Sequence, residues 1–339
     1  MEKILTIVVP TYNAEKYLRD NLESFCIPKL FPDLEVLIIN DGSTDHSADI
    51  AEEYVKLYPD TYKLITKKNG GHGSGINTGI LNATGKYFKV VDADDWVEKE
   101  TFIKLIETLK KSDSDIVASG FYWVYDEGQE NKEEFVRKAE MKIPFSGVDY
   151  QKEYLFDEVA DQIYVKMHHM TIKTSILREH EIRVDEHCYY VDTEYITYPI
   201  PYVETIRFVD GFVYMYRLGR QGQSVSMEKM QSNEKNYDRV IESLLTFYGD
   251  LEKKSLCTQK KKQYIARIIA RVVAGKVKIM LSFPTTSSKK ESLLAFDKYL
   301  KLNYPAVYYS NINSSLKLLR GTHFLLYTVA SILVRRKYR

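Results

Sequence analysis

Tyr87-Phe88-Lys89-Val90-Val91-Asp92-Ala93-Asp94-Asp95-Trp96 is the stretch on which the fold turns. Tyr87–Val91 has the β-branched and aromatic content of a strand. It ends in a burst of acid: Asp92, Asp94 and Asp95. Carboxylates at i and i+2, where a strand gives way to a loop, can converge on one hard cation. Mg2+ or Mn2+ takes oxygen ligands and draws further ones from a bound phosphate. The plainer reading of the same residues is a helix N-terminus, with Asp92 to Asp95 capping a helix predicted from Glu98 to Lys110. The stretch alone leaves both open.

The same strand-to-polar transition recurs on its N-terminal side. Ile4–Val9 is a continuous apolar run, as for a strand buried on both faces, and it leads into Pro10-Thr11-Tyr12-Asn13. That run is too short for a signal-peptide core. Helical spacing from Asn13 to Phe25 follows. A second strand, Leu34–Asn40, runs into Asp41-Gly42-Ser43-Thr44-Asp45, and a helix from Thr44 to Leu57 takes Ser43 or Thr44 as its cap. Lys63–Thr66 is a short third strand, and Ser74 to Ala83 a helix behind the loop Gly70-Gly71-His72-Gly73-Ser74-Gly75. That loop lacks the Lys-Ser/Thr of a Walker motif and does not follow the first strand as a dinucleotide fingerprint would. Taken alone, Asp41-Gly42-Ser43-Thr44-Asp45 reads first as an Asx turn with a helix cap. Strand–helix alternation through Ser119 predicts an α/β fold: a Rossmann-like, mainly parallel sheet with helices on both faces. Ligands in such sheets bind beyond the carboxyl ends of the strands, where these polar clusters fall.

From about 120 to 215 the pattern is irregular, with aromatic strands at Phe121–Tyr125 and Thr205–Tyr216. From about 230 onward it is all helical: Asn233–Lys253, Lys260–Leu281, Lys289–Leu302 and Asn313–Arg336. The expected domains are 1–220, carrying the sheet, and 221–339, helical with a basic amphipathic terminal helix.

Length and composition narrow the class. The chain of 339 residues, 44% hydrophobic and 28% charged, is globular and long enough for two domains. Three cysteines without paired spacing give neither a disulfide framework nor a zinc site and fit a reducing cytoplasm. No stretch reaches the roughly 18–20 apolar residues a membrane span needs. The net charge of +1 conceals two opposite halves. Residues 258–339 hold 17 basic residues and two acidic ones, Glu291 and Asp297, while residues 1–257 hold 31 basic and 45 acidic. A +15 segment predicts an anionic partner surface.

Pro10-Thr11-Tyr12-Asn13-Ala14, Asn40-Asp41-Gly42-Ser43-Thr44-Asp45, Asn77-Thr78-Gly79, Ala83-Thr84-Gly85-Lys86-Tyr87 and Asp92-Ala93-Asp94-Asp95-Trp96, in that order and spacing, resemble the inverting family 2 glycosyltransferases of the GT-A fold, of the bacterial polysaccharide-biosynthesis type. The resemblance covers about the first 220 residues. It implies a nucleotide-sugar site built from Pro10, Tyr12, Asn13, Asp41, Lys68, Gly71, Asn77, Asp92, Ala93 and Asp94. Pro10 and Tyr12 would line the base and Asp41 would bond it. Asp92 would face the ribose or sugar, and Asp94, with Asp92, would hold Mn2+ or Mg2+ on the diphosphate. Where relatives often carry Ala-Arg-Asn-X-Gly, this chain reads Gly75-Ile76-Asn77-Thr78-Gly79, so Ile76 stands in place of the Arg and His72 or Lys68 would supply its contact.

An inverting transfer also needs a general base on the acceptor hydroxyl. Relatives carry it as the Asp of a Glu-Asp pair, and the matching residue in Tyr190-Val191-Asp192-Thr193-Glu194-Tyr195 is Asp192, with Glu194 as the second choice and Val191 where the Glu would stand. A helix cap is the structural alternative for Asp192. The loop Arg217 to Ser226 reads either as a linker or as a lid over the diphosphate. Of His168 and His169, at most one would enter the site, since neighbours in a strand face opposite ways.

The function expected is a metal-dependent inverting hexosyltransferase using a UDP-sugar, with a glycan or lipid-linked oligosaccharide acceptor in surface or capsular polysaccharide synthesis. Phe324–Val334 is too short to span but is flanked by Lys317, Arg320, Arg335, Arg336, Lys337 and Arg339, as for a helix lying on an anionic membrane. This places the protein in the cytoplasm, peripheral on the inner face of the cell membrane; packing against other copies through the C-terminal helices is the alternative, and no nucleic-acid motif accompanies the charge. A nucleotidyltransferase would need a basic Gly-rich loop after the first strand, which Pro10-Thr11-Tyr12 is not. A degenerate, non-catalytic membrane scaffold is the other competing class.

Overall fold

The computed structural model describes residues 3–125, 135–139, 145–219, 223–224, 226–254, 256–285 and 288–338. They form two compact units, 1–221 and 222–339. In the first, β1 (Leu5–Thr11), α1 (Glu15–Ser24), β2 (Leu34–Asn40), α2 (Ser47–Leu57), β3 (Tyr62–Thr66), α3 (His72–Asn82) and β4 (Tyr87–Val90) alternate as expected. There follow β5 (Trp96–Val97), α4 (Lys99–Lys111), β6 (Ile116–Tyr125), β7 (Val136–Ala139), β8 (Glu153–Leu155), α5 (Phe156–Val159), β9 (Met170–Lys173), α6 (Thr174–Glu179), α7 (Asp192–Thr197) and β10 (Thr205–Leu218).

The strands make one sheet of order β3-β2-β1-β4-β9-β6-β10-β5, with β7 beside β6 and β8 beside β10. The half holding β3, β2, β1 and β4 is parallel. Beyond it the sheet is mixed: β9 runs antiparallel between β4 and β6, while β6 and β10 are parallel to each other. The four residues of β9 carry too little periodicity to announce a direction, so the largely parallel expectation holds only for the half made of β3, β2, β1 and β4.

Alternating side chains explain the helices on both faces. Leu5, Ile7 and Val9 of β1 join a core with Leu18, Leu22 and Phe25 from the α1 side, Ile50 and Tyr54 of α2, and Phe102, Leu105 and Leu109 of α4. Val8, between them, faces α3. A Cβ on Gly79 would sit 2.5 Å from Val8 Cγ1, so only glycine lets α3 lie this close to the strand. Beneath the sheet Glu35, 1% exposed, ties three segments: it accepts from Thr6 Oγ1 (2.7 Å), Lys63 Nζ (2.7 Å) and Thr84 N (2.7 Å). Neither expected residue caps α2. Asp45 Oδ1 takes Ser47 N (3.0 Å), because Ser43 and Thr44 are engaged by Asn13.

The second unit is helical: α8 (Met227–Ser232), α9 (Glu234–Lys254), α10 (Gln259–Ser282), α11 (Lys289–Asn303), α12 (Pro305–Tyr309), α13 (Ser314–Gly321) and α14 (Tyr327–Lys337). The single helix expected over Asn313–Arg336 is broken. His323 (φ 48°) and Phe324 (φ 60°) turn left-handed after Gly321, and Phe324 N bonds Leu319 O (2.7 Å). The turn costs backbone strain, offset by placing Phe324, 5% exposed, in a core with Val277, Met280, Leu293, Leu316 and Tyr327. No helix among the described residues is long and apolar enough to cross a membrane.

Candidate active site

Parallel pairing in register (Thr11 with Asn40, Val8 with Val90) brings the carboxyl ends of β1, β2 and β4 to one edge. Pro10 is buried at the end of β1, in close packing with Gly75 of α3, where a Cβ would meet Pro10 Cβ at 2.8 Å. Tyr12, 55% exposed, stands at the rim. Asn13 adopts φ 50°, which asparagine tolerates better than most residues. It joins the two loops: its Oδ1 accepts from Thr44 N (2.8 Å) and its N–H donates to Ser43 Oγ (3.1 Å).

Asp41, 3% exposed, anchors the glycine loop. Its carboxylate accepts from Gly70 N (2.9 and 3.1 Å), Gly71 N (2.7 Å), Lys67 Nζ (2.9 Å) and Ser74 Oγ (3.1 Å). A carboxylate offers about four lone-pair sites, so this residue is heavily used within the protein. The lysine that enters is Lys67, whose ammonium also meets Lys68 O (2.7 Å) and Ser74 Oγ (2.8 Å). Lys68 itself is exposed. The adjacent glycines serve close packing. Gly71 has φ 82°, and a Cβ on Gly73 would lie 2.1 Å from the carbonyl oxygen of Asp185.

That contact reveals a clamp the sequence did not show. The segment 184–188 lies on the glycine loop and the start of α3. Asn77, 8% exposed, donates from Nδ2 to Val184 O (2.9 Å) and Glu186 Oε1 (3.1 Å) and accepts from Val184 N (3.0 Å). Glu194, fully buried, accepts from Asp185 N (2.7 Å), and His187 N donates to Gly70 O (2.5 Å). Glu194 is therefore a support inside the fold, and the second choice for a base is corrected. Asp192 opens α7. Val191 occupies the cap position, and the Asp192 carboxylate accepts from backbone N–H groups at the start of the helix, its own and that of Thr193. Burial pushes the Asp192 carboxyl above the usual range; His72 opposes this and Asp92 adds to it.

The acidic run ends β4. Asp92 Oδ1 meets His72 Nε2 at 2.8 Å. Burial works to lower the His72 pKa, but Asp92, Asp192 and Asp94 outweigh it and hold the ring above its ordinary value. Ala93 is buried. Asp94 is partly exposed, and its carbonyl accepts from Arg217 Nε (3.0 Å). Asp95 turns inward, 1% exposed, accepting from Tyr214 Oη (2.6 Å) and Arg217 N (2.7 Å). Burial, then Asp94 and Asp92, push its carboxyl well up, which favours its neutral form. None of the three acids is needed as a cap for α4, because Glu98 accepts from Glu100 N and Thr101 N there.

Arg217 is 4% exposed, its guanidinium 4.8 Å from the Trp96 ring and 5.0 Å from Tyr17. A side chain so enclosed supports the acidic loop from beneath and is no part of a lid. Of that stretch, Arg220, Gln221, Gly222 and Val225 lie outside the described residues. Both His168 and His169 sit among aromatic rings, His168 stacked on Tyr216 at 4.4 Å, and burial pushes the His168 pKa down to about 3. His169 is buried in the core, whereas His168 is only partly buried and feels the charge of Asp92; burial favours the neutral ring in both. Lys89, fully buried in β4, donates to His168 O (2.8 Å) and Met170 O (3.2 Å), and burial lowers it to about 7.

Five elements, β1, β2, α3, β4 and α7, thus bring Tyr12, Asp41, His72, Asp92, Asp94 and Asp192 to one end of the sheet. A model of the family described as "Glycosyl transferase family 2" matches residues 6–178, just over half of the chain. The chain belongs to glycosyl transferase family 2. It has a fold of the GT-A type. It is 38% identical to the uncharacterized glycosyltransferase EpsJ of Bacillus subtilis (strain 168) over 122 residues, 36% of this chain and 35% of EpsJ. It is 27% identical over 252 residues to the minor teichoic acid biosynthesis protein GgaB of the same organism, covering 73% of this chain and 26% of GgaB. The matched stretches are thus about a third or less of each relative's own length. Among solved structures, S. aureus TarS 1–349 in complex with UDP-GlcNAc superposes with a TM-score of 0.60 at 17% identity, covering 99% of this chain and 90% of that one. The mannosyltransferase PcManGT from Pyrobaculum calidifontis, in complex with GDP-Man and Mn2+, does so at 0.52 and 14%, covering 99% and 87%.

Within this family-2 site, Lys67, the supporting role of Glu194, the inward turn of Asp95 and the His72–Asp92 pairing were not foreseen from the sequence, although His72 and Glu194 themselves were singled out there. Among the described residues no group of three or more His, Cys, Asp or Glu side chains is gathered for a metal.

Proposed function

We propose that the chain is an inverting glycosyltransferase that moves a sugar from a UDP-sugar to a hydroxyl of a glycan acceptor, lipid-linked, in cell-surface polymer synthesis. The observation that carries the reading is the position of Asp192. It is a carboxylate with a raised pKa, set in the field of His72 and Asp92 at the sheet edge where Tyr12 and Asp41 also lie. UDP-GlcNAc in the TarS structure and the teichoic acid role in GgaB's name support the donor and polymer class.

In the transfer, an acceptor hydroxyl oxygen forms a bond to the anomeric carbon as the bond to the diphosphate oxygen breaks on the opposite face. Asp192 takes the hydroxyl proton, and a carboxylate with its pKa raised toward the working pH is the stronger base for that task. Asp92 and Asp94 offer hard oxygen donors at i and i+2, which fit Mn2+ or Mg2+ completed by diphosphate oxygens and not by an all-protein cage. When bound there, the cation would neutralise charge on the departing nucleoside diphosphate. His72 fixes the Asp92 carboxylate through Nε2. Tyr12 offers an exposed ring at the rim for the base, and the Asp41 network holds the glycine loop against it.

A thermal-shift screen of UDP-sugars and GDP-mannose, with and without Mn2+, tests this. A UDP-sugar should raise Tm, and more so with Mn2+. Stabilisation by GDP-mannose alone, or by no nucleotide sugar, would overturn the donor assignment.

A further inference from the structure

The second unit leaves one of its own surfaces uncovered. α14 is apolar on two sides. One side packs on α10: Tyr327 and Ser331 are buried, and Ala330 and Val334 lie against a core that includes Val277, Met280 and Leu281. The other side has no such cover. Leu325, just ahead of the helix, is 83% exposed; Val329 is 54%, Ile332 39% and Leu333 60% exposed. Steps of three and four residues put Val329, Ile332 and Leu333 on one stripe of α14. Leu318 on α13 is a further exposed leucine, at 58%.

The charge around this stripe is of one sign. Lys317, Arg336 and Lys337 are exposed. At the end of α14 the Tyr338 ring lies between Lys278 Nζ (4.3 Å) and Lys337 Nζ (5.7 Å), so a half-exposed aromatic is bracketed by two cations. Of the two acids among residues 258–339, Asp297 is 8% exposed and spent on Arg320 Nε at 2.8 Å. Within the second unit Asp238 pairs with Lys276 and Glu234 with Lys289, while Lys317, Arg336 and Lys337 on this face stay exposed.

We propose that this face of α13 and α14 docks on an anionic lipid bilayer, with α14 lying in the plane of the interface. Charge complementarity selects this occupant. A second copy would bring one strongly basic surface against another. A nucleic acid would meet the cations but leave the leucine stripe in water. A lipid interface takes both: the stripe enters the boundary of the acyl chains while Arg336, Lys337 and Lys317 meet phosphates, and tyrosine favours that depth. At about 16 Å for 11 residues, α14 is too short to cross and long enough to lie flat.

Flotation of the full chain with vesicles, read without donor or acceptor, tests the surface independently of the transfer reaction. The protein should float with phosphatidylcholine–phosphatidylglycerol vesicles, stay behind with phosphatidylcholine alone, and release as salt is raised. Replacing Arg335, Arg336 and Lys337 by Gln should lower partitioning about fivefold per charge. Val329→Glu with Leu333→Glu should abolish flotation with Tm unchanged, since both side chains are exposed. Absence of flotation, flotation indifferent to Val329→Glu/Leu333→Glu, retention of RNA by the same face, or an oligomer in solution that Leu333→Glu dissolves without lipid would each overturn the proposal.

Discussion

Asn77→Ala separates two roles for one side chain. As a nucleotide-binding residue its loss would weaken donor affinity. As the bridge between α3 and the segment leading to Asp192, its loss would loosen the base. The variant removes three hydrogen bonds and leaves the N–H and C=O of Val184, a residue 4% exposed, without their partner. Two buried backbone groups at about 1–3 kcal/mol each, partly relieved by water, give about 3 kcal/mol, or about 9 °C in Tm for a unit of this size. Displacement of Asp192 by about 1 Å would cost about 100-fold in kcat. Asn77→Asp keeps the acceptor for Val184 N but turns an oxygen toward Val184 O and Glu186 Oε1, so it should do at least as much harm. The assays are thermal unfolding, UDP affinity by calorimetry, and turnover. The clamp predicts lower Tm and kcat with UDP affinity within about twofold. UDP affinity weakened tenfold with Tm and kcat intact would refute the reasoning.

Three further outcomes follow from the same geometry. Glu35→Gln should lower stability by about 2 kcal/mol in chemical denaturation at neutral pH. Burial tends to raise the Glu35 pKa, but Lys63, Thr6 and Thr84 hold it below the usual range, so its stabilisation is present above that range and fades as pH falls through it; the gap between the two proteins should narrow in acid. Gly73→Ala puts a methyl 2.1 Å from the Asp185 carbonyl oxygen, which is backbone and cannot swing away; kcat should fall at least about tenfold, and unchanged turnover would remove the close approach from the account. The acid limb of kcat/KM should lie above the range of an ordinary aspartate, because the raised Asp192 must lose its proton to act.

Much of the first unit was legible because its strands are buried on both faces. Continuous apolar runs gave β2 its observed bounds, Leu34–Asn40, and placed β1 and β4 to within a residue or two. Polar residues at the ends of those strands then located the site. The remainder depended on distance along the chain. Asn77 and Val184 are 107 residues apart, and nothing local marks an asparagine that will bond a distant backbone. Lys67 and Lys68 are equal in a sequence, and only the direction of the strand leaving β3 decides which ammonium reaches Asp41. Asp92, Asp94 and Asp95 look alike in the run, yet Asp95 points inward to Tyr214 on a strand more than a hundred residues later. The break between α13 and α14 was hidden because Phe324 fits a helical apolar pattern as well as it fits the left-handed turn that buries it.

The central claim is that Asp192 is the base of a sugar transfer at this site. Asp192→Asn keeps the shape of the side chain and removes its capacity to accept a proton. The decisive measurement is single-turnover transfer from the UDP-sugar selected by thermal shift, with UDP affinity measured on the same protein. The account predicts a loss of about 1,000-fold in the transfer rate with UDP binding unchanged. Transfer by Asp192→Asn at close to the wild-type rate would contradict it.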